Sequence, residues 1–355
     1  MIFLLDRGVG SLDFDDINIL SALENLIAAS VEGRHYVIAD RDTAAKLLSQ
    51  DGLSRRAVLG LKRIQNKASE NRSLLDSVSR YARVTDTGDI TNEGGVWLVP
   101  LIEFNKSETT NKATVLAENL LDCDVLEIAA QHTRVKRRLR GIHISVRKHG
   151  GGGSTIAMEF DNLCKNSEGP VLCVTDGDRL YPECNASVSS RKCARVAAKH
   201  SCVAEHLDMG FRELENIIPL EILQDACECE VTQLRACPDV VGHWDVKKGV
   251  RGDWVFRLSN NSSERRFWLA QTECILGTVK GDQSCVESET CEKPDACQCV
   301  LLAGLGAEAL EKVRTHIESI SPHKALERAK TNAEKWFFLG DAVLSWGCAP
   351  DPIRV

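Results

Sequence analysis

The sequence VLCVTDGDRL, at residues 171–180, sets a buried strand directly before two closely spaced aspartates. Its first five residues are mostly apolar and predict a buried strand, which Asp176 and Asp178 follow directly. In open α/β sheets, ligands bind at the carboxyl ends of the strands. Residues two apart on an extended segment point to the same side, so both carboxylates can face one ligand. Because close carboxylates repel each other unless a cation lies between them, the pattern predicts a metal site. A solvated Asp-Gly turn in a hairpin is the alternative.

The length of 355 residues predicts two or three domains, because it exceeds what one small core uses. Short apolar runs such as IFLLD and VWLVPL alternate with helical patterns near the beginning of the chain. This alternation predicts a small α/β domain of unassigned role at residues 1–105. We place a second α/β domain, which contains VLCVTDGDRL, at residues 106–256, and a mostly helical region at residues 257–355.

Charge and hydropathy exclude several classes of protein. The net charge of −7 argues against a protein that coats nucleic acid with its whole surface, although a local basic groove remains compatible with it. The first residues, MIFLLDRGVG, have an aspartate at position 6 and lack the basic region of a signal peptide. No window approaches the roughly 18 uninterrupted apolar residues that a membrane span needs. The sequence therefore predicts a cytoplasmic protein without a membrane partner.

The chain has fifteen cysteines, and the absence of a signal sequence favours reduced thiols over disulfides. A structural Zn²⁺ ion is the less favoured alternative, because no C-x₂-C motif is present. Two groups contain enough sulfur for such a site: Cys227, Cys229 and Cys237, or Cys285, Cys291, Cys297 and Cys299.

A basic segment precedes VLCVTDGDRL and has seven positive charges within fifteen residues. A solvated helix end and strand edge is the simple interpretation. Beside a metal-binding pair of aspartates, a groove that contacts the phosphates of nucleic acid is the better prediction. The residues assigned to this contact are Arg134, Lys136, Arg137, Arg138, Arg140, Arg147 and Lys148.

The glycine-rich sequence HGGGGST follows this basic segment. Its backbone amides could surround an anion, so we assign Gly151, Gly152, Gly153 and Ser154 to a phosphate loop. It is not a Walker A motif, because no lysine precedes Ser154. A flexible crossover that packs a helix closely on a sheet is the alternative.

Four short motifs, in order along the chain, resemble those of a Toprim domain, the metal-binding fold of topoisomerases, primases and OLD-family nucleases. AENLLD places Glu118 and Asp122 where the family has E-G-x-x-D, and VTDGD matches its D-x-D motif. RELENIIP and WDVKKG resemble the later acidic and lysine segments of OLD-like and related phage-defence members. The resemblance covers roughly residues 113–250 and implies a mostly parallel, Rossmann-like sheet flanked by helices. Asn119 replaces the usual glycine, which predicts a tight, left-handed turn at an asparagine.

The resemblance implies that acidic side chains hold one or two Mg²⁺ or Mn²⁺ ions. Such ions stabilise charge on a reacting phosphate and lower the pKa of a bound water. Glu213 or Glu215 would complete the coordination of a second ion. The carboxylates assigned to metal are Glu118, Asp122, Asp176, Asp178, Glu213 and Glu215.

The reaction implied is metal-dependent hydrolysis of phosphodiester bonds in DNA or RNA. Lys247 or Lys248 would stabilise the pentavalent phosphorane or the leaving oxygen. The catalytic assignment is therefore Glu118, Asp176, Asp178, Lys247 and Lys248.

OLD nucleases join this domain to an ATPase, whereas this sequence has no Walker motif. The resemblance therefore implies the effector of a bacterial anti-phage defence system whose ATPase or sensor is a separate protein. Two alternatives stay open. A haloacid-dehalogenase-like phosphatase would use Asp176 as nucleophile and Asp178 as general acid. A Toprim-like scaffold without activity would bind nucleic acid or a partner through the basic segment.

Overall fold

The computed structural model describes residues 1–166, 168–259, 262–271, 275, 284–292 and 297–353. They form a mixed α/β structure whose principal sheets are mostly parallel and flanked by helices, as the sequence predicts. The chain divides into two units. The first contains Met1–Val174, Lys192–Leu207 and Phe337–Val355, and the second contains Thr175–Arg191 and Asp208–Trp336.

A five-stranded sheet occupies the beginning of the first unit, in the order β2-β1-β3-β5-β4. All pairs are parallel except β4 with β5. Strands β1 and β2 are nearly continuous apolar runs, as expected for parallel strands covered on both faces. The strands are β1 (Ile2–Leu5), β2 (Tyr36–Ala39), β3 (Tyr81–Thr85), β4 (Thr91–Glu93) and β5 (Val96–Pro100). The helices are α1 (Ile17–Val31), α2 (Arg41–Leu48), α3 (Arg55–Asn66) and α4 (Ala68–Leu75).

Side-chain caps explain where several of these helices begin. The carboxylate of Asp16 accepts a hydrogen bond from the amide of Asn18 at the start of α1. Asp40 caps α2 through the amide of Thr43 at 2.7 Å. Such caps satisfy amides that have no partner within the helix, typically stabilising it by about 1 kcal/mol each.

A four-stranded sheet follows, in the order β10-β9-β6-β8, and β6 pairs in parallel with both β8 and β9. Leu116 and Cys173 of this sheet share a buried core with Phe160, which lies on the helix at Ile156–Asn166. The strands are β6 (Ala113–Ala117), β8 (Val146–Gly150), β9 (Val171–Thr175) and β10 (Ala204–Asp208), and β7 (Ile142–Ile144) lies outside this sheet. The helices are α5 (Leu120–Lys136), α6 (Ile156–Asn166) and α7 (Val188–Lys199).

The described part of the second unit is mostly helical and includes the antiparallel strands β11 (Gly249–Arg251) and β12 (Val300–Ala303). Gly249 has a φ of +82°, and a Cβ atom there would lie 2.3 Å from the carbonyl oxygen of Leu302, so this turn requires glycine. The helices are α8 (Leu220–Cys227), α9 (Pro238–His243), α10 (Gly252–Val255), α11 (Ser263–Ala270), α12 (Ser284–Ser288), α13 (Ala309–Ser319) and α14 (Pro322–Arg328).

The last segment belongs to the first unit. After helix α15 (Ala333–Gly347), strand β13 (Cys348–Pro350) pairs antiparallel with β7. The backbone nitrogen of Met1 donates to the carbonyl oxygens of Trp346 at 2.6 Å and Cys348 at 2.9 Å. The two units are thus discontinuous in sequence, and their limits differ from the predicted boundaries near residues 105 and 256. Within the described ranges, no helix combines the length and apolar composition needed to cross a membrane.

Candidate functional site

Asp176 and Asp178 follow strand β9 at the start of the second unit. The strand ends at Thr175 as predicted, but Asp178 has a φ of +49°, so the extended path does not continue through the pair. The alternation argument therefore does not place both carboxylates on one side. The hairpin alternative is also wrong, because the chain forms helix α7 before it reaches the neighbouring strand β10.

Close backbone packing holds the Asp-Gly-Asp segment. A Cβ atom on Gly177 would lie 2.2 Å from the carbonyl oxygen of Phe211, so glycine is required between the aspartates. The amide of Asp178 donates to the carbonyl oxygen of Arg212 at 2.9 Å. The guanidinium of Arg179 pairs with Asp208 at 2.8 Å. These contacts join residues 176–179 to residues 208–212. The second of these segments directly precedes the predicted glutamates in the sequence.

Glu213 and Glu215 lie beside Lys247, as the order of motifs suggests. The ammonium nitrogen of Lys247 is 3.0 Å from Oε1 of Glu215 and 3.7 Å from Oε2 of Glu213. Burial alone would lower the pKa of Lys247, but the charges of Glu215, Glu213 and then Asp176 outweigh it and raise that pKa above its usual value. Asp176, Glu213, Glu215 and Lys247 therefore share one electrostatic environment, which we call the acidic cluster.

Asn216 fixes the backbone of the two glutamates. Its side-chain oxygen accepts from the amide of Glu213 at 2.9 Å, and its side-chain nitrogen donates to the carbonyl oxygens of Val241 and Trp244. Asn216 is buried, and these three hydrogen bonds engage its side-chain oxygen and both hydrogens of its side-chain nitrogen. The E-L-E-N sequence thus contains both the acidic side chains and the residue that positions them.

The structure distinguishes the two predicted lysines. Lys247 approaches the glutamates, whereas the side chain of Lys248 is exposed and its backbone amide donates to Asp245 at 2.7 Å. Asp245 in turn pairs with the guanidinium of Arg212 at 2.9 Å, so its charge is already balanced. Lys247 is therefore the better candidate for contact with a phosphate.

The acidic cluster contains three carboxylates and one lysine. The charges of Glu215, Glu213 and Asp176 all act on the ammonium of Lys247. Oε2 of Glu213 is buried and accepts no hydrogen bond from any residue that the structure describes, although Lys247 is within ion-pair distance. Oε1 of Glu215 is buried and pairs with Lys247 at 3.0 Å. Burial also raises the pKa of Glu213, and the charge of Lys247 only partly offsets this.

Clustered carboxylates, one of which has a buried oxygen without a hydrogen-bond donor, suit a divalent cation, which prefers oxygen ligands. The described residues do not, however, bring three of these carboxylates within 4.8 Å of one another. A bound ion would therefore require some side-chain rearrangement or intervening water.

Glu118 and Asp122 lie in the first unit, whereas the acidic cluster lies in the second. Asn119 and Asp122 cap helix α5 reciprocally, each side chain accepting the other's backbone amide at 3.0 Å. The φ of Asn119 is −140°, so the predicted left-handed turn is wrong: the asparagine caps a helix from extended backbone. A metal shared by Glu118 and the aspartates stays a prediction.

The glycine loop uses its amides internally. The amide of Gly151 donates to the carbonyl oxygen of Ala117 at 2.7 Å, and those of Gly152 and Gly153 donate to that of Glu118 at 3.0 and 3.3 Å. The hydroxyl of Thr155 closes the loop on Gly151. An anion beside Ser154 would have to compete with these bonds, so the loop has a clear structural role in extending the contact of β8 with β6.

Most of the basic segment is also engaged. Arg137 pairs with Asp341, Lys148 lies 2.7 Å from Asp124, and Arg147 bonds to Thr114 at 3.0 Å. Arg134 donates to the carbonyl oxygen of Ile142 at 3.2 Å, and Lys136 lies over the ring of Phe337. Within the part of the chain that the structure describes, only Arg138 and Arg140 of the seven are exposed without a partner.

No family model, curated protein or solved structure matches this chain. The case for a function therefore depends on the residues themselves. Sequence reasoning missed Arg179, Asp208 and Arg212, which connect the aspartates to the glutamates. Arg179 and Arg212 adjoin the acidic motifs, but their partners are distant in sequence, so no local pattern reveals them.

Proposed function

We propose that this chain is a Mg²⁺- or Mn²⁺-dependent nuclease of the Toprim type that hydrolyses phosphodiester bonds of DNA or RNA. The observation that carries the proposal is the acidic cluster. Asp176, the half-buried Glu213 and the buried Glu215 act electrostatically on one lysine. Oε2 of Glu213 is a buried oxygen that accepts no hydrogen bond from the described residues. A structural ion pair would need only one carboxylate for Lys247, so the presence of three carboxylates beside it favours a site for a cation.

Asp176, Glu213 and Glu215 are the residues that would hold the ion, and the resemblance adds Asp178 and Glu118. The ion would supply charge stabilisation at the phosphate and a water of lowered pKa. Lys247 keeps its proton at neutral pH because the neighbouring carboxylates raise its pKa. Its ammonium can therefore stabilise negative charge on the reacting phosphate.

Contact with the nucleic-acid backbone is assigned to Arg138 and Arg140. Both are exposed after the end of helix α5, and an arginine can form two hydrogen bonds with one phosphate. Such contacts bind the backbone without reading the base sequence. The other basic residues of the segment stabilise the first unit through the pairs described above.

By its resemblance to OLD-like and other phage-defence Toprim proteins, we propose that the nuclease is the effector of a cytoplasmic bacterial defence system. A separate ATPase or sensor protein would control it. Co-purification from the native host should recover that partner. If the purified chain alone cleaved nucleic acid as fast as it does with the co-purified protein, a controlling partner would not be needed, and this part of the proposal would be contradicted.

Cleavage of plasmid DNA, single-stranded DNA and total RNA, with Mg²⁺ or Mn²⁺ and the co-purified partner present, tests the activity. We expect the wild type to cleave one of these substrates and Asp176→Asn or a chelator to abolish cleavage. The exposed neighbour Lys248 provides a matched control, because Lys248→Ala should retain activity. Hydrolysis of small phosphate monoesters alone would favour the phosphatase alternative. Nucleic-acid binding that survives Asp176→Asn, without cleavage by either protein, would favour the scaffold alternative.

A further inference from the structure

Three cysteine thiols converge in the second unit, away from the residues of the acidic cluster in the sequence. The sulfur atoms of Cys285, Cys291 and Cys297 all lie within 4.8 Å of one another, and those of Cys285 and Cys297 are 3.6 Å apart. Cys285 is buried on helix α12, and the other two lie in irregular segments between this helix and strand β12. Five residues separate Cys285 from Cys291, and five separate Cys291 from Cys297.

The sulfur spacing suits a shared metal ion. Sulfur ligands bind zinc at about 2.3 Å in a tetrahedron, which places the sulfurs about 3.8 Å apart. A disulfide would require about 2.05 Å, and all three cysteines are free thiols. The other thiol contacts among the described residues include the pairs Cys164 with Cys202 and Cys173 with Cys193, and no other three-sulfur group is found there. Cys237 is in a disulfide, contrary to the expectation of reduced thiols, so Cys227, Cys229 and Cys237 do not form a three-thiolate group among the described residues.

Backbone contacts hold the cysteine segment against strand β11 and helix α10. Arg251 donates to the carbonyl oxygen of Cys297 at 2.7 Å, and the amide of Gly252 donates to that of Cys299 at 3.0 Å. A Cβ atom on Gly252 would lie 3.0 Å from the sulfur of Cys299 and 3.3 Å from Cβ of Cys285. Gly252 therefore leaves room for these two cysteines to lie side by side.

We propose that Cys285, Cys291 and Cys297 bind a structural zinc ion, with the buried Cys299 as the fourth ligand. Cys299 lies outside the three-sulfur group but adjoins Cys285 across Gly252, and it is two residues from Cys297. Four thiolates leave no open coordination position, which is typical of structural rather than catalytic zinc. A zinc ion held by these side chains would link helix α12 to the residues directly before strand β12, and its binding free energy would stabilise the folded state.

Metal analysis of the purified wild-type chain, prepared under reducing conditions without chelator, tests this site. We expect one zinc ion per chain, retained in Asp176→Asn and lost in Cys291→Ser and Cys297→Ser. Cys184→Ser is the matched control, because Cys184 is a free thiol of the second unit outside the group. Wild type without zinc, or zinc retained in both Cys291→Ser and Cys297→Ser, would overturn the proposal.

A second measurement uses only the wild-type sequence and so avoids variants that fail to fold. Replacement of zinc by Co²⁺ should give the intense thiolate-to-cobalt absorption and the visible bands of tetrahedral cobalt. A Co²⁺ spectrum without thiolate absorption would contradict the ligand set. Because the readout is independent of nucleic-acid cleavage, failure of the zinc site and failure of the nuclease proposal are distinguishable.

Discussion

The ammonium nitrogen of Lys247 lies 3.0 Å from a carboxylate oxygen of Glu215, a glutamate that is only 2% exposed. A buried carboxylate is costly unless a charge or good hydrogen bonds compensate it. Lys247 provides part of this compensation, and Asp176 and Glu213 add further negative charge nearby. This relationship makes the lysine both a stabilising residue and a candidate for phosphate contact.

Replacement of this lysine separates the two roles. We expect Lys247→Ala to lower cleavage on the order of 10²–10³-fold, because one charge that stabilises the transition state is lost. The free energy of unfolding should fall by about 1–3 kcal/mol, because Glu215 stays buried without its partner. Cleavage assays and urea unfolding measure these effects. Equal losses in Lys248→Ala, whose side chain is exposed, would contradict the assignment.

Gly177 tests the packing between the two aspartates. We expect Gly177→Ala to lower the free energy of unfolding by about 1–3 kcal/mol, since the added methyl group would lie 2.2 Å from the carbonyl oxygen of Phe211. Gly150→Ala is the control, because the nearest atom to a Cβ there is at 3.4 Å and its φ is not left-handed. Denaturant unfolding of both variants provides the comparison, and equal stability would contradict the close packing.

Asn216 tests the positioning of the glutamates. Asn216→Ala removes one acceptor and two donors from a buried site, so we expect unfolding to become easier by about 1–3 kcal/mol. Asn216→Asp should be no better, because a carboxylate would face the carbonyl oxygens of Val241 and Trp244. Thermal melts measure both variants. An unchanged melting temperature in Asn216→Asp would contradict the hydrogen-bond assignment.

The pKa of Glu213 predicts how stability depends on pH. Because burial raises this pKa in the folded state, the carboxyl favours folding below its ordinary pKa, and this contribution is lost as the pH rises through the folded value. Glu213→Gln should therefore be more stable than wild type at neutral pH without metal and similar to it in acid.

Added Mn²⁺ should reverse this difference, since a cation stabilises the ionised carboxylate. Thermal melts with and without Mn²⁺, at neutral pH and below the ordinary glutamate pKa, measure the effect. If, without metal at neutral pH, Glu213→Gln were less stable than the wild type, a raised pKa of Glu213 in the folded state would be contradicted.

The sequence predicts the local elements of this protein well. The apolar run before Asp176 is strand β9, and the sequence after Glu118 is helix α5. Both follow from local periodicity and capping. The conformation of Asp178 could not be predicted, because its left-handed φ depends on packing against residues 208–212 rather than on its neighbours.

Long-range pairing explains the rest of the differences. The basic segment suggests one continuous surface, but Arg137 pairs with Asp341, which is 204 positions away. The last strand, β13, pairs with β7, which is similarly far away in the sequence. The end of the predicted helical region therefore belongs to the first unit. Charge patterning detects the residues involved but cannot identify partners so far along the chain.

Calorimetric titration of Mn²⁺ into the purified wild type, beside Glu215→Gln, tests the acidic cluster most directly. Circular dichroism should first establish that the near-isosteric variant is folded. We expect saturable binding to wild type and a loss of at least about tenfold in affinity in Glu215→Gln, because one buried oxygen ligand loses its charge. No binding to wild type, or equal binding to both proteins, would contradict a metal site at Asp176, Glu213 and Glu215.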